Sequence, residues 1–294
     1  MSERSLADPV RGGALLVADE TYVARAEPAR ALHVARTSTP FTIAVRFLAG
    51  LDVVHRAAFA AAADRWTRVI VGELPGVLAD GEYIDDVLIL AQGVDIDGPG
   101  RVVGQAGPTH LRPPSAGEAA FLPAKGVMSF DSADLSRLAA DGTLADVLTH
   151  EMGHVLGFGS AWKRKELIGG EATYNPTFAG AEAMAEYRAL RRGGPSHRVP
   201  VENAGGAGTL GGHWRSSVFR HELMSAAAIA PGAPLSRLTV ASMGDLGYRV
   251  DVDAADAYTL PSMEGASPGD VPPPPAGTVL PVVPVVLPDE SLDV

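Results

Sequence analysis

Within "LTHEMGHVLGFGSAW", from Leu148 to Trp162, two histidines stand four residues apart and a glutamate directly follows the first. On a helix, positions i and i+4 project from one face about a turn apart, so His150 and His154 can reach a single ion together. Glu151 sits where its carboxylate can hydrogen-bond a water at that ion without coordinating the ion itself. The chemistry this points to is metal-assisted hydrolysis. Two imidazoles alone leave such an ion too exposed, and the same pattern suits a polar edge on an ordinary half-buried helix. A third ligand decides between the two.

The sequence leaves two routes to that ligand. One metalloprotease layout takes a glutamate from a later helix, and Glu182 or Glu186 in "GAEAMAEYRALRR" fits the role. The other ends the motif helix at a glycine, turns the chain beneath the metal and takes a third histidine from beyond the turn. Gly157, three residues after His154, favours the second, because glycine adopts a positive φ at a helix C-terminus without steric cost. Ser160 occupies the place where a compact site of this kind has its histidine, so the compact form is excluded. Downstream remain His197, His213 and His221. His213 follows two glycines in "GGHWRSSVFRHELMS" and precedes Met224 by eleven residues, with His221 as the fallback.

Together, "HEMGHVLGFG", a long insertion, "HW", "ELM" and "LTVASMGDLGYRVD" resemble the leishmanolysin family of zinc endopeptidases, a branch of the metzincins. In that family an insertion of this general size displaces the third histidine, and the methionine of a tight turn beneath the metal follows at this spacing. The resemblance implies one zinc ion held by His150, His154 and His213, with Glu151 as general base. It also implies Gly157 as the turn glycine and Met224 packed under the imidazoles. The implied activity is cleavage of protein or peptide substrates, whose backbone could pair with a sheet edge in "RVVGQAG" or "GVMSFD". The similarity covers most of residues 41–260, including "AGPTHLR", "GVMSFDSADL" and "VPVENAGG". Cell-surface members of the family are cysteine-rich and carry a signal and a propeptide, none of which is recognisable here. Two rival readings stand beside this one. The first is a gluzincin-like protease using Glu182 or Glu186. The second is a zinc-stabilised binding or adhesion module that cleaves nothing, against which the retention of Glu151 speaks.

Periodicity locates the elements that must position these residues. "FTIAVRFL" alternates and reads as a strand; "VVHRAAFAAAADRWTRVIV" has helical spacing; "DDVLILAQGVDI", "RVVGQAG" and "GVMSFD" read as further strands. "DGTLADVLTHEMGHVLG" is the motif helix, with Asp141 or Thr143 available to cap it and an apolar stripe of Leu144, Leu148, Met152 and Val155. Helices also follow at "GAEAMAEYRALRR" and "PLSRLTVASMGDLG". The expectation is an α+β, metzincin-like fold. Residues 39–157 form an N-terminal subdomain with a mixed twisted sheet and two long helices; 158–260 form a mostly irregular and helical C-terminal subdomain across a zinc cleft. Residues 1–38 read as an irregular N-terminal extension, and 261–294 as a Pro-rich, extended or disordered tail.

Composition narrows the function further. The chain has 294 residues and a formal net charge of -11, so the basic footprint of a nucleic-acid binder is absent. No run approaches the ~18 apolar residues of a membrane helix. The absence of cysteine excludes disulfides, Cys-ligated zinc and a thiol nucleophile. The opening "MSERSLADPVRGGALLVADE" does not read as a secretory signal peptide. Because a broad protease in the cytoplasm is hazardous, the expectation is export by a route independent of such a signal.

Overall fold

The sheet and its helices follow from two periodicities: alternating β-branched residues make the strands, and Ala-rich runs with apolar residues at helical spacing cover them. The structure is a computed structural model and describes residues 20–100, 102–170, 173–206, 208–261, 277–279 and 283–292. In chain order, β1 (Glu20–Arg25) leads through a helical turn, α1 (Pro28–Arg30), to β2 (Thr42–Phe47), and α2 (Val53–Val69) follows. A small hairpin, β3 (Val77–Ala79) and β4 (Glu82–Ile84), precedes β5 (Val87–Val94), β6 (Gly104–Leu111) and β7 (Pro123–Asp131). Then come α3 (Ser132–Ala140) and α4 (Leu144–Val155), which carries the histidine pair. After the helix turn the chain has little regular structure: β8 (Ile168–Gly169), β9 (Thr177–Phe178), α5 (Ala181–Leu190), β10 (Val199–Pro200), the short α6 (Ser216–Phe219) and α7 (Arg237–Leu246). Two tail strands close the order, β11 (Gly277–Val279) and β12 (Val285–Val286).

The main sheet runs β1-β2-β5-β7-β6-β11, with β12 also on β6. Strands β2, β5 and β7 are mutually parallel, while β1 is antiparallel to β2 and β6 antiparallel to β7, so the sheet is mixed. One face buries Ile43, Val45, Phe47, Ile89 and Phe130 against Phe59 and Trp66 of α2 and Leu148, Met152 and Val155 of α4. The other face buries Leu88 and Ala124 against Val77, Ala79 and Ile84 of the hairpin. The start of α2 is fixed by a reciprocal cap: Asp52 accepts from the His55 N–H and the His55 ring accepts from the Asp52 N–H. His55 is therefore occupied structurally.

Two stretches depart from the sequence reading. Residues 20–25, expected in an irregular extension, pair with β2 from Glu20–Phe47 to Arg25–Thr42. Their pattern is weak because charged residues flank the few apolar ones; an open edge of β2 supplies the backbone partners instead. The Pro-rich tail, expected as an appendage, packs onto the body where it is described. β11 pairs with Gly104–Ala106 and β12 with His110–Leu111, both parallel to β6. The Leu287 N–H donates to the Leu111 carbonyl at 2.9 Å, Leu287 is buried in the second core, and Leu292 bridges to Val77. An outer strand leaves a row of unpaired backbone groups, and this apolar segment covers it. Residues 1–19 and most of 261–276 lie outside the described residues. Among those described, no helix is long and apolar enough to cross a membrane.

Trp66 fastens α2 to α4: its side chain is fully buried and its indole N–H donates to the Thr149 carbonyl at 2.8 Å. Trp66→Ala should cost about 3–5 kcal/mol in urea denaturation. Leu78→Ala, at a half-exposed hairpin position, should cost about 0.5 kcal/mol or less.

Candidate metal centre

The stripe Leu144, Leu148, Met152 and Val155 faces the core as its spacing requires, yet α4 is enclosed far beyond it. Every residue from Val147 to Val155 is buried, histidines and glutamate included. Of the two capping candidates, Thr143 takes the N-cap position without a side-chain cap hydrogen bond. At the other end Gly157 has φ +107°, a conformation that an L side chain would strain, and the chain reverses there. The Phe158 N–H bonds back to the Gly153 carbonyl at 2.9 Å, and the Ser160 hydroxyl donates to the His154 carbonyl at 2.6 Å. This reversal aims the Phe158 carbonyl at Nδ1 of His154, 2.9 Å away.

His213 arrives from a glycine-rich loop that approaches the turn closely: a Cβ on Gly159 would lie 2.2 Å from the Gly212 carbonyl oxygen. Glu202 shapes that loop. Its carboxylate accepts from the N–H groups of Asn203, Ala204 and Ser216, and its backbone N–H donates to the His213 carbonyl. His213 is thereby held with Nδ1 at 3.1 Å from the Thr209 carbonyl. Nδ1 of His150 lies 2.7 Å from the Leu223 carbonyl, beyond the loop.

These three contacts settle the tautomers. A carbonyl oxygen only accepts, so each Nδ1 carries a proton and each neutral ring presents a lone pair at Nε2. The three Nε2 atoms lie 3.0–3.1 Å apart. With no proton among them, that cluster is three lone pairs converging on one another, a repulsive arrangement that a cation turns into an attractive one. Burial pushes His150 down to about 4 and His154 down to about 3, the neighbouring imidazole adding to the shift for His154. His213 is held well below the ordinary value, again by burial first and by the other two rings second. Neutral imidazole nitrogens in this number suit a borderline metal ion, and the group can hold one.

Glu151 is buried beside them, and burial pushes its carboxyl up to about 8. Its Oε2 has no hydrogen-bond partner among the described residues. A buried carboxylate oxygen without a partner is costly unless a ligand or water completes it. Beneath the pair, Met224 is fully buried against the backbone of α4: a Cβ on Gly153 would come within 2.9 Å of its methyl and 3.0 Å of its sulfur. Gly153, between the histidines, is what lets the methionine approach.

The other candidates stand elsewhere. Glu186 bonds twice to Arg237 at 3.1 Å, Glu182 lies against Gly244, and His221 packs on the Tyr258 ring. Trp214 is core, ringed by Phe158, Trp162, Phe178 and Phe219. A second group of acids, Glu73, Asp85 and Asp86, clusters at the far end of β5. There Asp86 already accepts from Thr42 and from the Leu74 N–H. Sequence reasoning passed over Glu202 and Glu222, whose carboxylates receive neighbouring backbone N–H groups together with those of Ser216 and Ser236, which the fold brings beside them.

Comparison with known proteins covers the same stretch. Residues 119–268 match the sequence model of the family described as Leishmanolysin. A leishmanolysin homolog of Crithidia fasciculata is 32% identical over 133 residues, covering 43% of this chain and 20% of the relative. The leishmanolysin of Leishmania donovani is 32% identical over 143 residues, covering 46% and 24%, and that of Leishmania major 31% over 142 residues, covering 46% and 23%. The chain thus spans about a fifth to a quarter of the length of the curated relatives it matches. The family match runs from before β7 to beyond α7, takes in more than half of the chain and contains all three converging histidines. On that match the chain belongs to the leishmanolysin family.

Proposed function

We propose that the chain is a zinc-dependent endopeptidase in which His150, His154 and His213 hold one zinc ion and Glu151 is the general base. The observation that carries this reading is the convergence of three Nε2 lone pairs beside a buried carboxylate oxygen that has no partner among the described residues. Family membership supports the activity class, and the donor set supports the metal. The helix, the glycine turn, the distant third histidine and the methionine below them support the finer, metzincin-like reading of the fold.

Zinc bound by three neutral imidazoles keeps its full charge, and supplies Lewis-acid activation of a water and of the scissile carbonyl. Glu151 then manages the proton. Its carboxylate takes one proton from the attacking water as the new C–O bond forms, and gives it to the amine nitrogen as the C–N bond breaks. The carboxylate is buried beside the three histidines, where both transfers take place. Its enclosure also keeps bulk water from competing for the proton.

A peptide substrate can pair its backbone with a sheet edge. Of the two edges the sequence suggests, β7 is interior, flanked by β5 and β6, so the "GVMSFD" edge is excluded by the fold. β6 is the outer strand of the body and lies against α4, but β11 and β12 already pair with it. Substrate pairing along β6 therefore requires the tail strands to leave.

Glu151→Gln should retain stoichiometric zinc while cleavage of an unfolded protein falls by roughly 10²–10⁴-fold; near-normal cleavage would defeat the reading. His213→Ala should lose both zinc and activity, and a chelator should abolish wild-type cleavage reversibly. Leu287→Pro removes the N–H that the tail donates to Leu111, and should raise kcat/KM for an extended peptide several-fold. An unchanged value would show that substrate does not use this edge.

A further inference from the structure

Glu222 is an enclosed carboxylate, and burial raises its proton affinity above the ordinary range. Four donors stabilise it. Oε1 accepts from the Ser236 hydroxyl at 2.6 Å, the Thr239 hydroxyl at 2.5 Å and the Ser236 N–H at 3.3 Å; Oε2 accepts from the Met224 N–H at 2.6 Å. All four are donors, so an acceptor-only group is what the pocket requires. The Thr239 hydroxyl in turn accepts from the Trp214 indole N–H at 2.9 Å, in the residue after His213.

The bond to Met224 has a consequence beyond packing. The Met224 N–H and the Leu223 carbonyl belong to one planar peptide unit, and in a trans peptide they point in opposite directions. The N–H end meets the Glu222 carboxylate; the carbonyl end accepts from Nδ1 of His150 at 2.7 Å. A charge on one side of a peptide polarises it and makes its carbonyl a stronger acceptor. The corresponding peptide at His213 lacks this feature: the Thr209 carbonyl accepts from His213, but the Leu210 N–H on the same unit donates to the neutral Gly206 carbonyl.

We propose that Glu222 is a positioning residue of the metal centre, acting on His150 through the Leu223–Met224 peptide. Carboxylate, peptide and imidazole form a relay in which the carboxylate fixes the tautomer and orientation of His150 and raises the basicity of its Nε2. Metal-bound histidines characteristically donate their second ring N–H to an acceptor that orients them, and loss of such partners weakens metal affinity. Here a peptide unit carries that influence inward from a carboxylate one step further out. The inference rests on the three-histidine metal site proposed above.

The test is zinc affinity, measured by chelator competition on metal-free folded protein, alongside the absorption spectrum of the cobalt-loaded form. Glu222→Gln should weaken zinc binding by about 10–100-fold and shift the cobalt bands. Ser236→Ala removes a different donor to the same carboxylate and leaves the Met224 bond; it should lower the melting temperature but hold zinc affinity within about threefold of wild type. Equal zinc affinity in Glu222→Gln and wild type overturns the relay, as do equal losses in the two variants, which indicate a structural effect alone. Should Glu222→Gln not fold, wild type suffices: zinc addition should move the Met224 amide proton more than those of Ser225 and Ala226, and an unmoved Met224 signal overturns the proposal. Wild-type protein that binds no zinc overturns the metal site as well, which distinguishes that failure from failure of the relay.

Discussion

Three imidazole N–H groups donating to three backbone carbonyls are the constraint on which this structure depends. Once Leu223, Phe158 and Thr209 accept from Nδ1 of His150, His154 and His213, the opposite nitrogens can present only lone pairs. Enclosure keeps the rings neutral, so protonation does not relieve the crowding. The fold therefore holds a focus of negative potential in an enclosed site, where a divalent cation is stabilised more than in open solvent.

That constraint accounts for the irregularity of the second half of the chain. Carbonyls inside helices and strands are consumed by their own ladders, so the acceptors that orient the rings must come from loops. Loops buried this deeply need partners for their remaining N–H groups. Buried carboxylates supply them: Glu202 gathers three N–H groups around the loop before His213, and Glu222 secures the turn that carries Leu223 and Met224. Each acidic side chain takes the place of a missing strand or helix neighbour. The aromatic cluster of Phe158, Trp162, Phe178 and Trp214 provides the apolar floor under both segments.

The upper half plays a different part. α4 needs a rigid seat, and it has one between α2, the sheet and the tail side of β6. The long helices and the central strands were legible because their periodicities extend over many residues. β2, α2, β5, α5 and α7 lie within a few residues of where their patterns place them. β1, α3 and the β3–β4 hairpin were not, since each is short and shares its apolar residues with its surroundings. The place of the tail's described residues is illegible in sequence for a related reason. Proline density argues against a central strand, but a parallel outer strand tolerates interruption, and an uncovered β6 edge favours any extended apolar segment that can reach it.

What short stretches of sequence specify here is the arrangement of side chains within one helix. His150, Glu151 and His154 are related by helical geometry, and the turn at Gly157 by the conformational freedom of glycine; both are local properties that four or five residues specify. The sequence also narrowed the third ligand to a few residues, but spacing alone left glutamate and histidine open. It is long-range packing that brings His213 to the pair and leaves Glu182, Glu186 and His221 elsewhere. Long-range packing likewise brings the Leu223 carbonyl to His150 and lays the described tail strands along β6. The contacts of His213 with the pair, of His150 with Leu223 and of the tail with β6 join residues about sixty to well over a hundred positions apart. Their register is set by backbone hydrogen bonds and core packing summed over the whole chain, which no short window of sequence contains.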